Sequence, residues 1–237
     1  MALDRIKALT FDVFGTVVDW RSSVAGEIDA VARRKGWIVD GAAVADAWRG
    51  LYRPSMDQVA RGERPWVNLD VLHRESLERV LVQFGLRGLD AAELDDLNRA
   101  WHRLDPWPDV VEGLTRLKTK YILATLSNGN VALMVNMAKR AGLPWDAILG
   151  AETARHYKPE PETYLSTAAF LGLKPDECMM VAAHNGDLVS ASRLGFRTAF
   201  VPRPAEHGAG RNRDVKPQAA FDAVAEDFLD LARRLGC

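Results

Sequence analysis

The chain has 237 residues, of which 48% are hydrophobic, enough for one large or two modest domains with a substantial core. Its 31 Lys and Arg residues nearly balance 32 Asp and Glu residues, and the formal net charge of -1 gives no sign of a nucleic-acid or anionic-membrane partner. Two cysteines form neither a disulfide framework nor a metal-ligand spacing, and the absence of a signal-peptide pattern or a long apolar run leads us to expect a cytoplasmic protein.

The first predicted element is a buried strand over residues 5–11, which ends at a single carboxylate, Asp12. Gly15 permits a tight turn after it, and Thr16 adds a hydroxyl. An acid at the carboxyl end of a buried strand is poorly placed for stability and well placed for chemistry, because ligands of parallel sheets bind at that edge. The structural alternative is that Asp12 caps the turn.

A helical block follows, in which apolar residues recur at helical spacing and no strand pattern is convincing. Four helices are predicted, with apolar faces at Val24, Ile28, Val31 and Ala32; Val44, Trp48, Leu51 and Tyr52; Val71, Leu72, Leu77, Val80, Leu81 and Phe84; and Leu94, Leu97, Ala100, Trp101 and Leu104. This block predicts an all-helical insert.

Strands and helices alternate in the remainder of the chain. Strands are predicted at 121–126, 147–150, 178–183 and 197–201, and helices at 110–117, 131–141, 161–171, 188–194 and 221–235. This alternation implies right-handed crossovers and a mostly parallel sheet with helices on both faces. We therefore predict the α/β class, with a doubly wound parallel-sheet core formed by residues 1–18 and 106–237 and an inserted all-helical cap domain of residues 19–105.

Four polar residues fall at or near the carboxyl ends of the predicted strands: Asp12, Ser127, Lys158 and Asp187. If the sheet is parallel, they converge at one edge, where a carboxylate, a hydroxyl, an ammonium and a second carboxylate can support covalent catalysis. Each also has a structural interpretation. Ser127 suits a turn, Lys158 a solvated surface, and Asp187 the start of a helix.

Taken together, these motifs resemble those of the haloacid dehalogenase (HAD) superfamily, which has a Rossmann-like core. The matching segments are Asp12-Val13-Phe14-Gly15-Thr16, Ser127-Asn128, Lys158-Pro159 and the Asp187 loop. Phosphatases of this superfamily carry a second aspartate two positions after the nucleophile, where this chain has Phe14, and acidic magnesium ligands in the fourth motif, where it has Ala183. Without a leaving-group acid, magnesium-dependent phosphoryl transfer is disfavoured.

The remaining pattern is similar to the type II L-2-haloacid dehalogenase subfamily, for which Phe14, Trp48-Arg49 and the Lys158/Tyr164 spacing are typical. The resemblance implies a hydrolase of short 2-haloalkanoic acids that needs no metal or cofactor, uses water, releases halide and is compatible with a homodimer. The implied catalytic residues are Asp12, Thr16, Lys158, Tyr164, His184, Asn185 and Asp187. The implied substrate- and halide-binding residues are Val13, Phe14, Arg49, Ser127 and Asn128.

In this hypothesis Asp12 attacks C2 with inversion, and Arg49 and Asn128 receive the halide. Water activated by Asp187, with help from His184 and Asn185, then hydrolyses the ester. The alternative for Arg49 is an ion pair with Asp46.

The fourth motif departs from the best-known members at Ala182, Ala183, His184 and Gly186, and Leu69 replaces a cap phenylalanine expected in the halide pocket. Alternative functions therefore stay open. They are hydrolysis of another activated carbon, including a C–F bond or a strained ring, a small-metabolite phosphatase, and a non-enzymatic dimeric binding protein.

Overall fold

The computed structural model describes residues 3–208, 210–211 and 214–237. The strands are β1 (Ala8–Phe11), β2 (Val18–Asp19), β3 (Asp105–Pro106), β4 (Ile122–Ser127), β5 (Ala147–Gly150), β6 (Cys178–Ala182), β7 (Arg197–Phe200) and β8 (Ala223–Val224). The helices are α1 (Trp20–Lys35), α2 (Gly41–Gly50), α3 (Tyr52–Ala60), α4 (Leu69–Gln83), α5 (Ala91–Asn98), α6 (Val110–Lys118), α7 (Val131–Ala141), α8 (Ala151–Ala154), α9 (Pro161–Phe170), α10 (Asn185–Arg193) and α11 (Phe228–Arg234).

Six strands form one parallel sheet in the order β5-β4-β1-β6-β7-β8. Central strands β1 and β6 are buried along their whole length, as expected for a parallel sheet covered by helices on both faces. Thr10 of β1 lies opposite Ala124 on one side and Met180 on the other. The predicted doubly wound α/β core is therefore confirmed. The order of strands reverses between β1 and β6, so a ligand crevice is expected beyond their carboxyl ends.

Helices α1 to α5 form the helical insertion between β2 and β3. These two short strands pair in antiparallel register, with Val18 opposite Pro106 and Asp19 opposite Asp105, and they close the base of the insertion. The carboxylate of Asp19 also accepts a hydrogen bond from the Ser22 N–H and caps α1. The division into a core and a cap domain at residues 19 and 105 remains a proposal.

Some predicted boundaries were wrong. The second predicted helix is two helices, because the chain breaks at Leu51 before Pro54, which has no N–H to donate to the carbonyl of Gly50. The first strand begins at Ala8 rather than at residue 5. The last predicted helix begins only at Phe228, where Asp227 caps it, and Ala223–Val224 upstream forms β8 beside β7.

The core on one face of the sheet joins α6 and α11 to β1. Phe11 of β1 packs against Trp145 and Phe228, with ring centroids 5.3 and 5.5 Å apart. Gly113 of α6 lies directly against Phe228 of α11. This packing holds β1 on one face of the sheet and thereby fixes the position of Asp12, which follows the last residue of β1. No helix within the described ranges has both the length and the apolar character needed to cross a membrane.

Candidate active site

Asp12 leaves β1 at the switch point of the sheet and is almost fully buried. Its N–H continues the ladder by donating to the carbonyl of Val181, at 3.0 Å. Gly15, with a φ of 88°, turns the chain back so that the Thr16 hydroxyl donates to Asp12 Oδ2 at 2.7 Å. Thr16 Oγ1 in turn accepts the Ala183 N–H at 2.9 Å, which ties the β1 and β6 loops together.

Lys158 lies between two carboxylates. Its Nζ donates to Asp12 Oδ1 at 2.9 Å and to Asp187 Oδ2 at 2.5 Å. The Tyr164 hydroxyl donates to the other oxygen of Asp187 at 2.6 Å. Asn128 Oδ1 accepts the Lys158 N–H at 2.7 Å, which orients the amide and leaves its NH2 available to a ligand. Lys158, Tyr164 and Asp187 therefore form one buried network around the nucleophile candidate.

These contacts separate the acidities of the two carboxyl groups. Burial alone would raise the pKa of Asp12, but the charges and hydrogen bonds of Lys158 and His184 outweigh it and lower that pKa well below 3.8. For Asp187, burial raises the pKa, Lys158 opposes it, and the charge of Asp12 adds to it, so the pKa lies above 3.8. Two acids with diverging pKa values suit two roles, an ionised nucleophile and a proton acceptor.

His184 bridges Asp12 to a carboxylate that the sequence analysis missed. Its Nδ1 lies 3.0 Å from Asp12 Oδ2, and its Nε2 lies 3.0 Å from Glu206 Oε2. The indole N–H of Trp20 donates to the other oxygen of Glu206 at 3.0 Å. Burial would lower the pKa of His184, but its hydrogen bonds to Asp12 and Glu206 prevail and raise that pKa well above 6.5. This environment favours the protonated, imidazolium form of the ring.

The site opens into a cavity of about 350 Å³. Its walls contain the predicted residues Asp12, Phe14, Arg49, Asn128, Lys158, Tyr164, His184 and Asp187. Tyr52, Arg53 and Met56 of the helical insertion complete one side. The core and the insertion thus both contribute to one cavity.

Arg49 is held by aromatic rings rather than by a carboxylate. Its guanidinium lies 3.9 Å from the ring centroid of Tyr52, 5.3 Å from that of Trp20 and 5.6 Å from that of Phe14. Within the described part of the chain, its buried Nη1 has no hydrogen-bond partner. The alternative ion pair with Asp46 is wrong, because Asp46 pairs with Arg21 and Arg211 instead. A partly buried guanidinium with a free N–H can receive an anion.

The structure places some predicted residues away from the cavity wall. Asn185 faces the opposite direction, since its amide donates to Asp214 and to the carbonyl of Lys216 and accepts from Gln218, so it anchors a loop. These contacts do not support the predicted catalytic role of Asn185. Ser127 is fully buried and its hydroxyl oxygen accepts the Gly129 N–H.

Two more predicted residues do not line the cavity. Val13 is fully buried beside the nucleophile, and Leu69 is fully buried at the start of α4. Leu69, at the position where a cap phenylalanine was expected, therefore does not form a wall of the cavity. Met56 and Tyr52 line the side of the cavity formed by the insertion.

Two of the residues missed by the sequence analysis carried a weak signal. Glu206 follows β7, the strand next to β6, so the argument from strand ends could have been extended to it. Tyr52 lies three positions after Arg49 and therefore on the same side of the chain, although a helix break separates them. Trp20 carried no signal, because its contact with Glu206 joins segments 186 residues apart.

Comparison with known proteins agrees with the motifs. A family model described as haloacid dehalogenase-like hydrolase matches residues 6–195. The (S)-2-haloacid dehalogenase 4A of Burkholderia cepacia is 31% identical over 207 residues, which are 85% of this chain and 85% of that protein.

Solved structures extend this similarity. The defluorinating L-2-haloacid dehalogenase Rha0230 is 50% identical, with a TM-score of 0.96 over 98% of this chain and 96% of that one. The L-2-haloacid dehalogenase from Xanthobacter autotrophicus with chloropropionic acid covalently bound is 27% identical, with a TM-score of 0.79 over 96% of this chain and 97% of that one. The family model and these structures confirm the resemblance inferred from the motifs, and the chain belongs to the haloacid dehalogenase-like hydrolases.

Proposed function

We propose that the protein hydrolyses the carbon–halogen bond of short 2-haloalkanoic acids through an ester on Asp12. One observation carries the proposal: an ionised carboxylate, that of Asp12, and a guanidinium whose buried Nη1 has no hydrogen-bond partner among the described residues, that of Arg49, line the same small cavity. A nucleophile and an anion receptor facing a common volume suit displacement at carbon. The (S)-2-haloacid dehalogenases among the relatives support the same reaction class.

In the first step, a carboxylate oxygen of Asp12 attacks C2 of the substrate from the side opposite the halogen. The C–O bond forms as the C–X bond breaks, and the configuration at C2 inverts. Arg49 and the amide NH2 of Asn128 receive the halide, because a departing anion in a water-poor cavity needs donors. We assign the substrate carboxylate to the backbone N–H groups of Val13 and Phe14, which directly follow the nucleophile.

In the second step, water attacks the Asp12 carbonyl carbon and transfers a proton to Asp187. The bond between that carbon and the substrate oxygen then breaks, and the proton passes to the leaving oxygen to give the 2-hydroxy acid. Asp187 suits the role of base because its pKa is above that of Asp12, and Lys158 and Tyr164 hold it in place.

The helical insertion acts in this proposal as a cap domain. Arg49, Tyr52 and Met56 come from α2 and α3, whereas Asp12, Lys158 and Asp187 come from the core. Substrate must therefore lie between the two parts, and their apposition excludes water from the displacement step.

The donor set does not suit the magnesium ion that phosphatases of the superfamily use. Lys158 Nζ lies within hydrogen-bond distance of both Asp12 and Asp187, so a cation already occupies the space between the carboxylates. Ala183 offers no side-chain oxygen, and the described residues contain no group of three or more His, Cys, Asp or Glu arranged around a common point. We therefore derive no step through a metal.

A C–F bond is the second candidate, because the structure 50% identical to this chain is that of a defluorinating enzyme. Fluoride is small and strongly hydrated, so its release needs more hydrogen-bond donation than chloride. The cavity supplies Arg49 and Asn128 at its wall, and the large aromatic rings of Phe14 and Tyr52 narrow it.

The experiment measures halide release from each enantiomer of 2-chloropropionate and from fluoroacetate, and phosphate release from p-nitrophenyl phosphate, with and without magnesium. We expect halide release from one chloropropionate enantiomer with inverted product, unaffected by magnesium. Phosphate release that depends on magnesium, without any halide release, would overturn the proposal. Fluoroacetate turnover decides the second candidate.

A further inference from the structure

The two oxygens of Asp12 have different surroundings. Oδ1 accepts one hydrogen bond, from the Lys158 ammonium at 2.9 Å. Oδ2 accepts two, from the Thr16 hydroxyl at 2.7 Å and from the His184 ring at 3.0 Å. When the carboxylate is alkylated, one oxygen becomes the ester oxygen and the other becomes the carbonyl oxygen. Oδ2, which already accepts hydrogen bonds from two donors, is better placed than Oδ1 to remain as the carbonyl oxygen and to carry negative charge.

The contacts of His184 determine its protonation state. Each ring nitrogen lies 3.0 Å from a carboxylate oxygen, and a carboxylate can only accept. Both nitrogens must therefore carry hydrogen, and the ring cannot act as a base towards water while these contacts hold. The charged groups that face it are Asp12 and Glu206, with Lys158 on the far oxygen of Asp12 and the His207 Nε2 3.7 Å from Glu206 Oε2.

Glu206 holds the ring in this state from a buried position. It is 5% exposed, and both of its oxygens are used, one by Trp20 and one by His184. Gly15 leaves room for it, since a Cβ at position 15 would lie 2.2 Å from Glu206 Oε1. These contacts give Glu206 a role in holding the His184 ring, in addition to any contribution to the stability of its loop.

We propose, on the basis of the ester route above, that Thr16 and protonated His184 form an oxyanion hole at Asp12 Oδ2, and that Glu206 is the positioning residue that holds His184 in it. Oδ1 is then the oxygen that attacks C2. In the ester, Oδ2 is the carbonyl oxygen and keeps its two donors. His184 then acts in the second half-reaction as a hydrogen-bond donor, and Asp187 activates the water.

The electron and proton balance of that half-reaction is complete without another reactant. The oxygen of water bonds to the Asp12 carbonyl carbon, and the C=O electron pair moves to Oδ2, where Thr16 and His184 donate to the resulting oxyanion. One water proton goes to Asp187. The pair returns to re-form C=O as the bond to Oδ1 breaks, and Oδ1 leaves with the product and takes the proton from Asp187. The second water proton is released when Asp12 ionises again.

The test separates the two half-reactions in a single turnover with 2-chloropropionate. Halide release reports ester formation, and intact-protein mass reports the ester and its decay. For His184→Asn and Glu206→Gln we expect halide release within a few-fold of the wild type, and ester decay slowed, by ~100-fold for His184→Asn, the usual cost of losing one oxyanion donor. The matched control is Glu160→Gln, because Glu160 forms a comparable pair with His156 at the surface.

The pH dependence of ester decay adds a readout that a purely structural role would not move. If protonated His184 donates, decay slows as the pH rises through its pKa, and Glu206→Gln shifts that decline to lower pH. If His184 were instead the base, decay would accelerate over the same range, which would overturn the proposal. A shift of the decline in Glu206→Gln and in His184→Asn, but not in the control Glu160→Gln, assigns the decline to His184.

Equal slowing of halide release and ester decay in His184→Asn and Glu206→Gln would also overturn the inference. So would variants whose rate of ester decay and pH profile match those of the wild type. A wild type that releases no halide at all would contradict the proposed function itself, so the two failures are distinguishable.

Discussion

At the scale of single residues, the chemistry depends on how one ammonium is shared. Lys158 contacts both Asp12 and Asp187, yet the pKa of Asp12 is lowered and that of Asp187 is raised, because His184 adds a second positive group to Asp12 alone. The same environment therefore suits the two roles proposed here, with Asp12 as a nucleophile that stays ionised and Asp187 as a base that can accept a proton. Phe14 contributes by its lack of acidity, since no proton donor for a phosphate leaving group is available at its position.

Arg49 provides the most direct prediction at this scale. Replacing it by glutamine removes the cation proposed to receive the halide, so we expect the rate of halide release in a single turnover to fall by ~100-fold, the scale seen when a donor to developing negative charge is lost. Arg61→Gln is the control, because Arg61 is an exposed arginine at the end of α3 and pairs with Glu63. A halide burst of wild-type rate in Arg49→Gln would show that the leaving group is received elsewhere.

At the scale of elements, the sequence predicts most of the core and less of the site. Strands such as β4 and β6 are apolar runs with clear ends, so Asp12, Ser127, Lys158 and Asp187 could be placed near one edge from the strand pattern. Tyr164 came only from the family resemblance. Glu206 carries only a weak signal, its position after β7, because its contact with His184 depends on the path of the loop that follows that strand. The interpretation of 221–235 as one helix failed because helical spacing ignores the pairing of β8 with β7.

Helix packing under β1 allows a matched pair of glycine substitutions. Gly113→Ala places a Cβ 2.5 Å from Phe228 Cβ at the contact of α6 with α11, so overpacking is expected to cost about 1–3 kcal/mol of the free energy of unfolding. Gly26→Ala, at an exposed position of α1, meets nothing within 4 Å and should stabilise by about 0.5–1 kcal/mol through helix propensity. Urea unfolding of both variants measures the difference. Equal stabilisation by the two alanines would contradict the close approach of α6 and α11.

At the scale of the whole molecule, the buried charges of Asp12 and His184 make the free energy of unfolding depend on pH. The contribution of Asp12 is lost at acidic pH, and the contribution of His184 is lost at alkaline pH. The folded-state pKa of Asp12 is below 3.8, so its contribution is complete above that pH and is lost as the pH falls further. The folded-state pKa of His184 is above 6.5 despite its burial, so its contribution is complete below 6.5 and is lost as the pH rises through that pKa. Both contributions are complete between 3.8 and 6.5.

The direction of the pH dependence contributed by His184 can be measured by comparing the wild type with His184→Asn. We expect the difference in the free energy of unfolding between them to shrink as the pH rises above 6.5, because only the wild type must give up a proton held by Asp12 and Glu206. Denaturant unfolding across neutral and alkaline pH gives the difference directly. A difference that stays constant over that whole range would contradict the assignment of a protonated ring.

The central claim, an ester on Asp12, is tested most directly by a single turnover in water enriched in heavy oxygen. In the proposed route the product oxygen comes from Asp12 and the water oxygen enters the carboxylate. With enzyme in excess over 2-chloropropionate, we therefore expect the label in the peptide that contains Asp12 and ordinary oxygen in the 2-hydroxy acid. Label in the product of that first turnover, with none in the peptide, would mean that water attacks C2 directly and would contradict the account.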